Sequence, residues 1–118
     1  MQYLLLIYHV ENEWEALTED ERQRVYGQYR SLREDLSKSG NWIGGNQLQP
    51  IATASTLRLK DKKPLITDGP FAETKEQLGG YFLVDANNLD DALKIVVRIP
   101  SVAIGGSIEV RPVVTPRS

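Results

Sequence analysis

Hydrophobic residues recur along this chain in patterns that predict four strands of one sheet. Residues 3–8 and 81–84 form nearly unbroken apolar runs, which are typical of central strands covered on both faces. Residues 107–114 alternate apolar and polar side chains, as a half-buried strand does. Residues 41–48 predict the remaining strand, and the glycine pair within them indicates a bulge or a close approach of backbone or ligand.

Two other stretches carry apolar residues at helical spacing. Thr18 and Glu21 stand at the spacing of a capping box, which predicts a helix over residues 19–39. The apolar stripe of this helix consists of Val25, Tyr29, Leu32 and Leu36. Asn88 is the expected N-cap of a second helix, and we expect Pro100 to end it. The face of this second helix consists of Leu89, Ala92, Leu93, Val96 and Val97.

A hairpin and a turn-rich loop separate the second and third strands, over about residues 55–80. Alternation on either side of a polar tip predicts the hairpin at residues 55–67. The loop that follows, DGPFAETKEQLGG, occupies residues 68–80. In it Gly69 tolerates a positive φ angle, and we expect Phe71 to anchor the turn.

Without the hairpin, the element order is β-α-β-β-α-β. This order predicts a single α+β domain over residues 1–118, with a ferredoxin-like antiparallel sheet and both helices on one face. Because the central strands are apolar on both faces, the second face also needs a cover. We expect a second copy of the chain to supply it, as a homodimer packed sheet to sheet.

Composition narrows the classes of partner and chemistry. The 14 basic and 16 acidic residues give a net charge of −2, which argues against general affinity for nucleic acid or anionic membranes. With no cysteine and one histidine, one protomer has no thiolate nucleophile and no multi-histidine metal centre, and we predict no cofactor. The longest N-terminal apolar run, residues 4–7, is too short for a signal peptide or membrane span, so we expect a cytoplasmic protein.

Two side chains are the candidates for proton transfer. Histidine ordinarily titrates near physiological pH, which makes His9 a candidate acid or base, although a solvated loop histidine is the simpler interpretation. Asp68 is a candidate catalytic carboxylate because a carboxyl group held among apolar residues can accept a proton. Its simpler role is to bond the backbone amides of its own turn.

Five further side chains are candidate ligand contacts. Lys75 and Glu73 suit a polar ligand, or they are a solvated charge cluster. Tyr81 follows two glycines, so that ligand stacking and core packing are both open, whereas Tyr29 lies on a helical stripe that favours core packing. Arg111 should point away from the helices, either toward a dimer cavity or into an ion pair.

Four stretches together carry a resemblance to a known family. They are residues 3–8, Gly44-Gly45 with Leu48-Gln49-Pro50, residues 67–84 (TDGPFAETKEQLGGYFLV) and residues 108–112 (IEVRP). In them the chain resembles the DGPF-domain proteins of the YCII-related family, within the dimeric α+β barrel group. The resemblance implies a ferredoxin-like protomer, a barrel-like dimer with a cleft between sheet and loops, and no established activity.

The resemblance also bears on function. Other branches of the family are thought to use a His/Asp pair with the histidine on the first helix, and that position falls on Tyr29 here. Family members occur beside or fused to sigma factors. The first hypothesis is therefore binding or conversion of a small polar molecule in a cleft of a homodimer, by acid/base chemistry without metal. The alternatives are a regulatory or interaction module linked to sigma-factor-dependent transcription initiation, or a loop that only braces the dimer.

Overall fold

The computed structural model describes residues 1–115, and its architecture confirms the predicted ferredoxin-like α+β fold. The strands are β1 (Gln2–His9), β2 (Trp42–Gln47), β3 (Ser55–Lys60), β4 (Lys63–Asp68), β5 (Gln77–Asp85) and β6 (Ser107–Pro112). Four of them form an antiparallel sheet in the order β2-β5-β1-β6, and β3 and β4 form a separate hairpin. Within the described residues the four-stranded sheet is open and does not close into a barrel.

Residues 1–115 contain four α-helices, and the two longest begin at the caps that the sequence predicts. The four helices are α1 (Glu11–Ala16), α2 (Glu19–Ser39), α3 (Leu89–Val96) and α4 (Pro100–Ala103). The Thr18 hydroxyl accepts a hydrogen bond from the Glu21 amide at 3.1 Å, and α2 ends at Gly40, whose φ is +83°. Asn88 caps α3 by accepting from the Asp91 amide at 2.9 Å. Both predicted helices therefore begin where their caps place them.

The hydrophobic core lies between the helices and one face of the sheet. It contains Tyr3, Leu5, Ile7, Leu32, Leu36, Phe82, Val84, Ala86, Ala92, Ile95 and Ile99. Along β1 and β5 every second side chain is buried in the core, as expected for strands with one face inward. Along α2 the buried side chains belong to its apolar stripe. The predicted apolar face of α3 is only partly correct, because Leu89, Leu93 and Val97 are exposed. Ile95, which the predicted face did not include, is buried instead.

The largest differences from the sequence-based expectation are at three places. The polar stretch before Thr18 contains the short helix α1, whose Glu11 amide donates to the Gln77 side chain at 3.0 Å. Pro100 does not end α3; it begins α4, where the first turn tolerates its missing N–H. Finally, β5 begins at Gln77 rather than Tyr81, because the preceding residues pair with the end of β1.

The hairpin β3–β4, residues 55–68, projects from the domain and is called the arm. Its apolar side chains are exposed on both faces, and they are Leu57, Leu59, Leu65 and Ile66. Gly69 at its base has a φ of +93°, as the turn requires. Phe71 does not anchor that turn within this chain, since it is 75% exposed.

Among residues 1–115, no helix covers the second face of the four-stranded sheet. Partly exposed apolar side chains of the two central strands form its middle, and they are Leu4, Leu6, Tyr81 and Leu83. The predicted bulge is present in β2, where the pairing with β5 shifts between Trp42 and Gly44. No helix among residues 1–115 is long and apolar enough to cross a membrane.

Candidate functional site

A cavity of about 380 Å³ lies on the helical side of the sheet, between α2 and strands β2, β5 and β1. Its size falls in the range of small-molecule sites, roughly 300–1,000 Å³. Its lining residues are Ile7, His9, Trp14, Tyr26, Tyr29, Arg30, Arg33, Trp42, Gly45, Asn46, Gln47, Gly79, Gly80, Phe82 and Ser101. The cavity thus draws on three strands of the four-stranded sheet, β1, β2 and β5, and on helices α1, α2 and α4.

Helix α2 contributes one side of the cavity through four residues on neighbouring turns. Tyr26, Tyr29, Arg30 and Arg33 are spaced by three and four residues, so that they share a helical face beside the buried stripe. Of these four residues, only Tyr29 was a candidate from the sequence. The sequence signal for the other three was their helical spacing, which places Tyr26, Arg30 and Arg33 on one face of the predicted helix.

Aromatic rings form the apolar walls. Trp42 and Phe82 meet edge to face with centroids 4.9 Å apart, and Trp14 meets Tyr26 in the same way at 5.6 Å. Gly45 makes room for Trp42, since a Cβ at this glycine would lie 2.7 Å from the indole. Both tryptophans of the chain therefore line the cavity.

His9 enters the cavity from the end of β1. Its imidazole stacks on Trp14, with centroids 6.1 Å apart and planes inclined by 26°. It lies directly over Gly79 of β5, where a Cβ would come within 2.2 Å of its Cε1 and 2.7 Å of its Nδ1. Only a glycine at position 79 leaves space for this ring, so the position of His9 depends on a residue 70 positions away in the sequence.

The hydroxyl groups of Tyr29 and Ser101 form a hydrogen bond deep in the cavity. Their hydroxyl oxygens are 2.5 Å apart, and Ser101 is buried. The Tyr29 ring packs edge to face on Phe82 at 5.8 Å. Burial raises the pKa of the Tyr29 hydroxyl above its ordinary value of 10.0, and the hydrogen bond with Ser101 acts in the opposite direction. The hydroxyl is thus neutral and able to donate or accept a hydrogen bond at physiological pH.

Two guanidinium groups supply the charge at this site. Arg33 lies over the Trp42 ring, with its Cζ 5.1 Å from the centroid, which is a cation–π contact. Arg30 lies one turn earlier on α2, and both arginines are exposed. No Asp or Glu side chain is among the lining residues, so the described part of the cavity is positively charged although the whole chain is acidic.

The structure separates the candidate residues predicted from the sequence into three places. His9 and Tyr29 line the cavity together. Tyr81 and Arg111 belong to strands β5 and β6 and face the uncovered side of the sheet, where the Tyr81 hydroxyl accepts from the Asn46 amide at 3.1 Å.

The third place is the base of the arm, where three of the candidates lie exposed. Asp68 is the last residue of β4 and pairs with Ser55. Glu73 and Lys75 follow in the connection to β5. None of these three side chains lines the cavity that holds His9. Within residues 1–115 no three histidine or carboxylate side chains gather at a potential metal site.

Comparison with known proteins shows which family the chain matches. The model of the YCII-related domain matches residues 1–116. A protein of Rhizobium meliloti (strain 1021), described as uncharacterized protein R00369, is 35% identical over 113 residues. The match covers 95% of this chain and 91% of that protein, so that the similarity extends over the whole domain.

Proposed function

The chain belongs to the YCII-related family, whose function is uncharacterised, and we propose that it binds a small molecule in the cavity between α2 and the sheet. The observation that carries the proposal is the position of His9. A titratable side chain stands among aromatic walls, in space that a glycine keeps open for it. This combination of a titratable group and apolar walls is typical of a ligand site.

The cavity also contains groups suited to proton transfer. The His9 imidazole and the Tyr29–Ser101 hydroxyl pair line the same space, and none of them needs a metal to act as an acid, a base or a hydrogen-bond partner. Conversion of the ligand by acid/base chemistry therefore forms the second part of the proposal, with His9 as the proton acceptor.

A binding experiment tests the site directly. The chain is 13.3 kDa and has two tryptophans, Trp14 and Trp42, which both line the cavity. A set of neutral aromatic fragments is titrated while amide and indole Nε1–H resonances are followed by NMR. Binding fragments should shift both indole resonances and the Gly79 amide, and His9→Ala should weaken them. Asp68→Asn serves as the control and should bind as the wild type does.

The outcome distinguishes this cavity from the other candidate sites. If fragments bind but shift residues 68–75 at the base of the arm, or Tyr81 and Arg111 on the uncovered face, the ligand site lies there and the cavity proposal is wrong. If neither these neutral fragments nor charged aromatic ones shift either indole resonance, the proposal of small-molecule binding in this cavity also fails.

We further propose that the protein acts as a homodimer. The chain exposes 8577 Å² of surface, whereas a folded monomer of its mass exposes about 6,400 Å². The excess of roughly 2,000 Å² on each of two copies is in the range that obligate dimers bury, about 2,000–5,000 Å² in total. A second copy would cover the arm and the face that carries Tyr81 and Arg111, which would then line a cleft between the copies.

Light scattering at micromolar concentration tests the dimer. The expected mass is twice 13.3 kDa, and Leu59→Lys on the arm should lower it because the leucine is 70% exposed in the single chain. Val114→Lys is the matched control, since Val114 lies outside the arm and is 85% exposed. A monomeric wild-type protein would contradict the dimer proposal.

The exposed arm also fits the alternative function, a regulatory or interaction module linked to sigma-factor-dependent transcription initiation. In that case a different protein covers the apolar side chains of the arm. Copurification with a sigma factor at physiological salt, lost in Leu59→Lys and kept in His9→Ala, would favour this function over small-molecule binding.

A further inference from the structure

We infer that the ligand of this cavity is an aromatic carboxylate, held by Arg30 and Arg33. The inference rests on the proposed small-molecule function and adds the chemical class of the ligand. Its starting point is a contrast in charge. The chain has a net charge of −2, yet two arginines and no acidic side chain line the cavity. A cavity of this charge selects an anion.

The two guanidinium groups have no carboxylate partner within the described chain. The ion pairs among residues 1–115 join the N-terminus to Asp85, Arg22 to Glu19, Lys94 to Asp91 and Arg98 to Asp35. Arg22, on the same helix, shows how an arginine is used for structure, since it donates to the carbonyls of Glu15 and Leu17 as well. Arg30 and Arg33 make no such contacts among these residues.

The spacing of Arg30 and Arg33 also favours a bound anion. Residues three positions apart on a helix are neighbours, and like charges there repel each other. An anion between the two groups removes that repulsion. The cation–π contact with Trp42 holds Arg33 in place before a ligand arrives, so that less side-chain entropy is lost on binding.

The surroundings favour a carboxylate on a flat apolar body over a phosphate. Guanidinium groups bind carboxylates through paired N–H donors. Phosphate sites commonly add backbone amides at a helix N-terminus or a glycine-rich loop. Arg30 and Arg33 lie in the middle of α2, where the backbone amides are used within the helix. The walls formed by Trp42, Phe82 and Tyr26 suit an aromatic ring.

Three probes with one ring system test the inference. They are the anion of 1-naphthylacetic acid (the acetate), neutral 1-naphthylacetamide (the amide) and cationic 1-naphthylmethylamine (the amine). They share the naphthyl ring and differ in charge. Each is titrated into the full chain, and the indole resonances of Trp14 and Trp42 report cavity binding. We expect the acetate to bind at least about tenfold more tightly than the amide, since a charge-assisted contact is lost in the amide. The amine should bind most weakly.

Variants assign the selectivity to the two arginines. Arg30→Gln and Arg33→Gln should each bring the affinity for the acetate toward that for the amide. Arg24→Gln is the matched control, because Arg24 lies on the same helix and does not line the cavity. It should keep the wild-type preference for the acetate.

The results separate this inference from the proposed function. Equal binding of acetate and amide at the tryptophans would overturn the carboxylate inference and leave small-molecule binding intact. An equal loss of preference in Arg24→Gln would also overturn it, because the effect would then be one of overall charge. Absence of any indole shift with all three probes would count against both proposals. If inorganic phosphate at equal concentration displaces the naphthylacetate, the carboxylate inference is wrong and the ligand carries a phosphate.

Discussion

The contact between His9 and Gly79 makes a sharp prediction for a single methyl group. In Gly79→Ala the new Cβ would lie 2.2 Å from the His9 Cε1, whereas carbon atoms pack at about 3.5 Å or more. The imidazole must therefore move by more than about 1 Å and lose its stacking on Trp14. Because His9 is only half-buried, the ring can swing outward, so we expect a loss of about 1–3 kcal/mol in the free energy of unfolding and no loss of fold.

The same displacement should disable the proposed site. A shift of about 1 Å in a positioned group can cost roughly a hundredfold in a reaction that depends on it. Gly44→Ala is the matched control, since Gly44 also lies in a strand of the sheet and no atom lies within 4 Å of the position that its Cβ would occupy. We expect Gly44→Ala to be neutral or slightly stabilising, by less than about 1 kcal/mol.

Urea unfolding and NMR measure both effects. The chain has a single histidine, so its imidazole resonances report the position of His9 without ambiguity. Gly79→Ala should shift these resonances and weaken the binding of aromatic fragments, and Gly44→Ala should leave both as in the wild type. If the two alanine variants have equal stability and the same imidazole resonances, the close contact does not exist and the reasoning about the site is wrong.

Two further predictions concern the hydroxyl pair and a helix cap. Tyr29→Phe leaves the buried Ser101 hydroxyl without its partner and should cost about 1–2 kcal/mol at neutral pH. The pKa of Tyr29 in the folded state is raised above 10.0. The neutral hydroxyl therefore contributes folding stability that is fully present below about pH 10 and is lost as the pH rises above it. Denaturation from pH 9 upward should show this decline in the wild type, and an unchanged slope in Tyr29→Phe would contradict it. Asn88→Ala should lower the free energy of unfolding by about 1 kcal/mol through loss of the α3 cap, and Asn87→Ala, which removes a weaker side-chain contact, should change it less.

Local sequence signals were sufficient for the framework of this fold. Capping residues such as Thr18 and Asn88 determine where helices begin by contacts over three residues, and apolar runs identify β1 and the buried part of β5. The signals failed where a contact between distant residues decides the structure. Helix α1 is held partly by Gln77, and Pro100 begins a helix because the chain has already turned after α3.

The cavity was only partly predictable for the same reason. His9 and Tyr29 were candidates, but Trp14 and Trp42 reach the cavity from an unpredicted helix and from the first residue of an edge strand. The glycine at position 79 appeared in the sequence as the end of a loop. Its role follows from the pairing of β5 with β1, a long-range register that no local pattern specifies.

The segment at residues 67–84 joins an exposed part of the chain at the base of the arm to a central strand of the sheet. Its first half, with Asp68 and Phe71, lies exposed at the base of the arm, on the surface that a second copy is proposed to cover. Its second half forms β5, in which Gly79 gives His9 its place and Gln77 bonds the first amide of the helix that carries Trp14. Both halves belong to one short stretch of chain, so the exposed base of the arm leads directly into the strand that lines the cavity. The motif thus contributes to the shape of the cavity through its glycine and its glutamine, while its aspartate belongs to the surface of the arm.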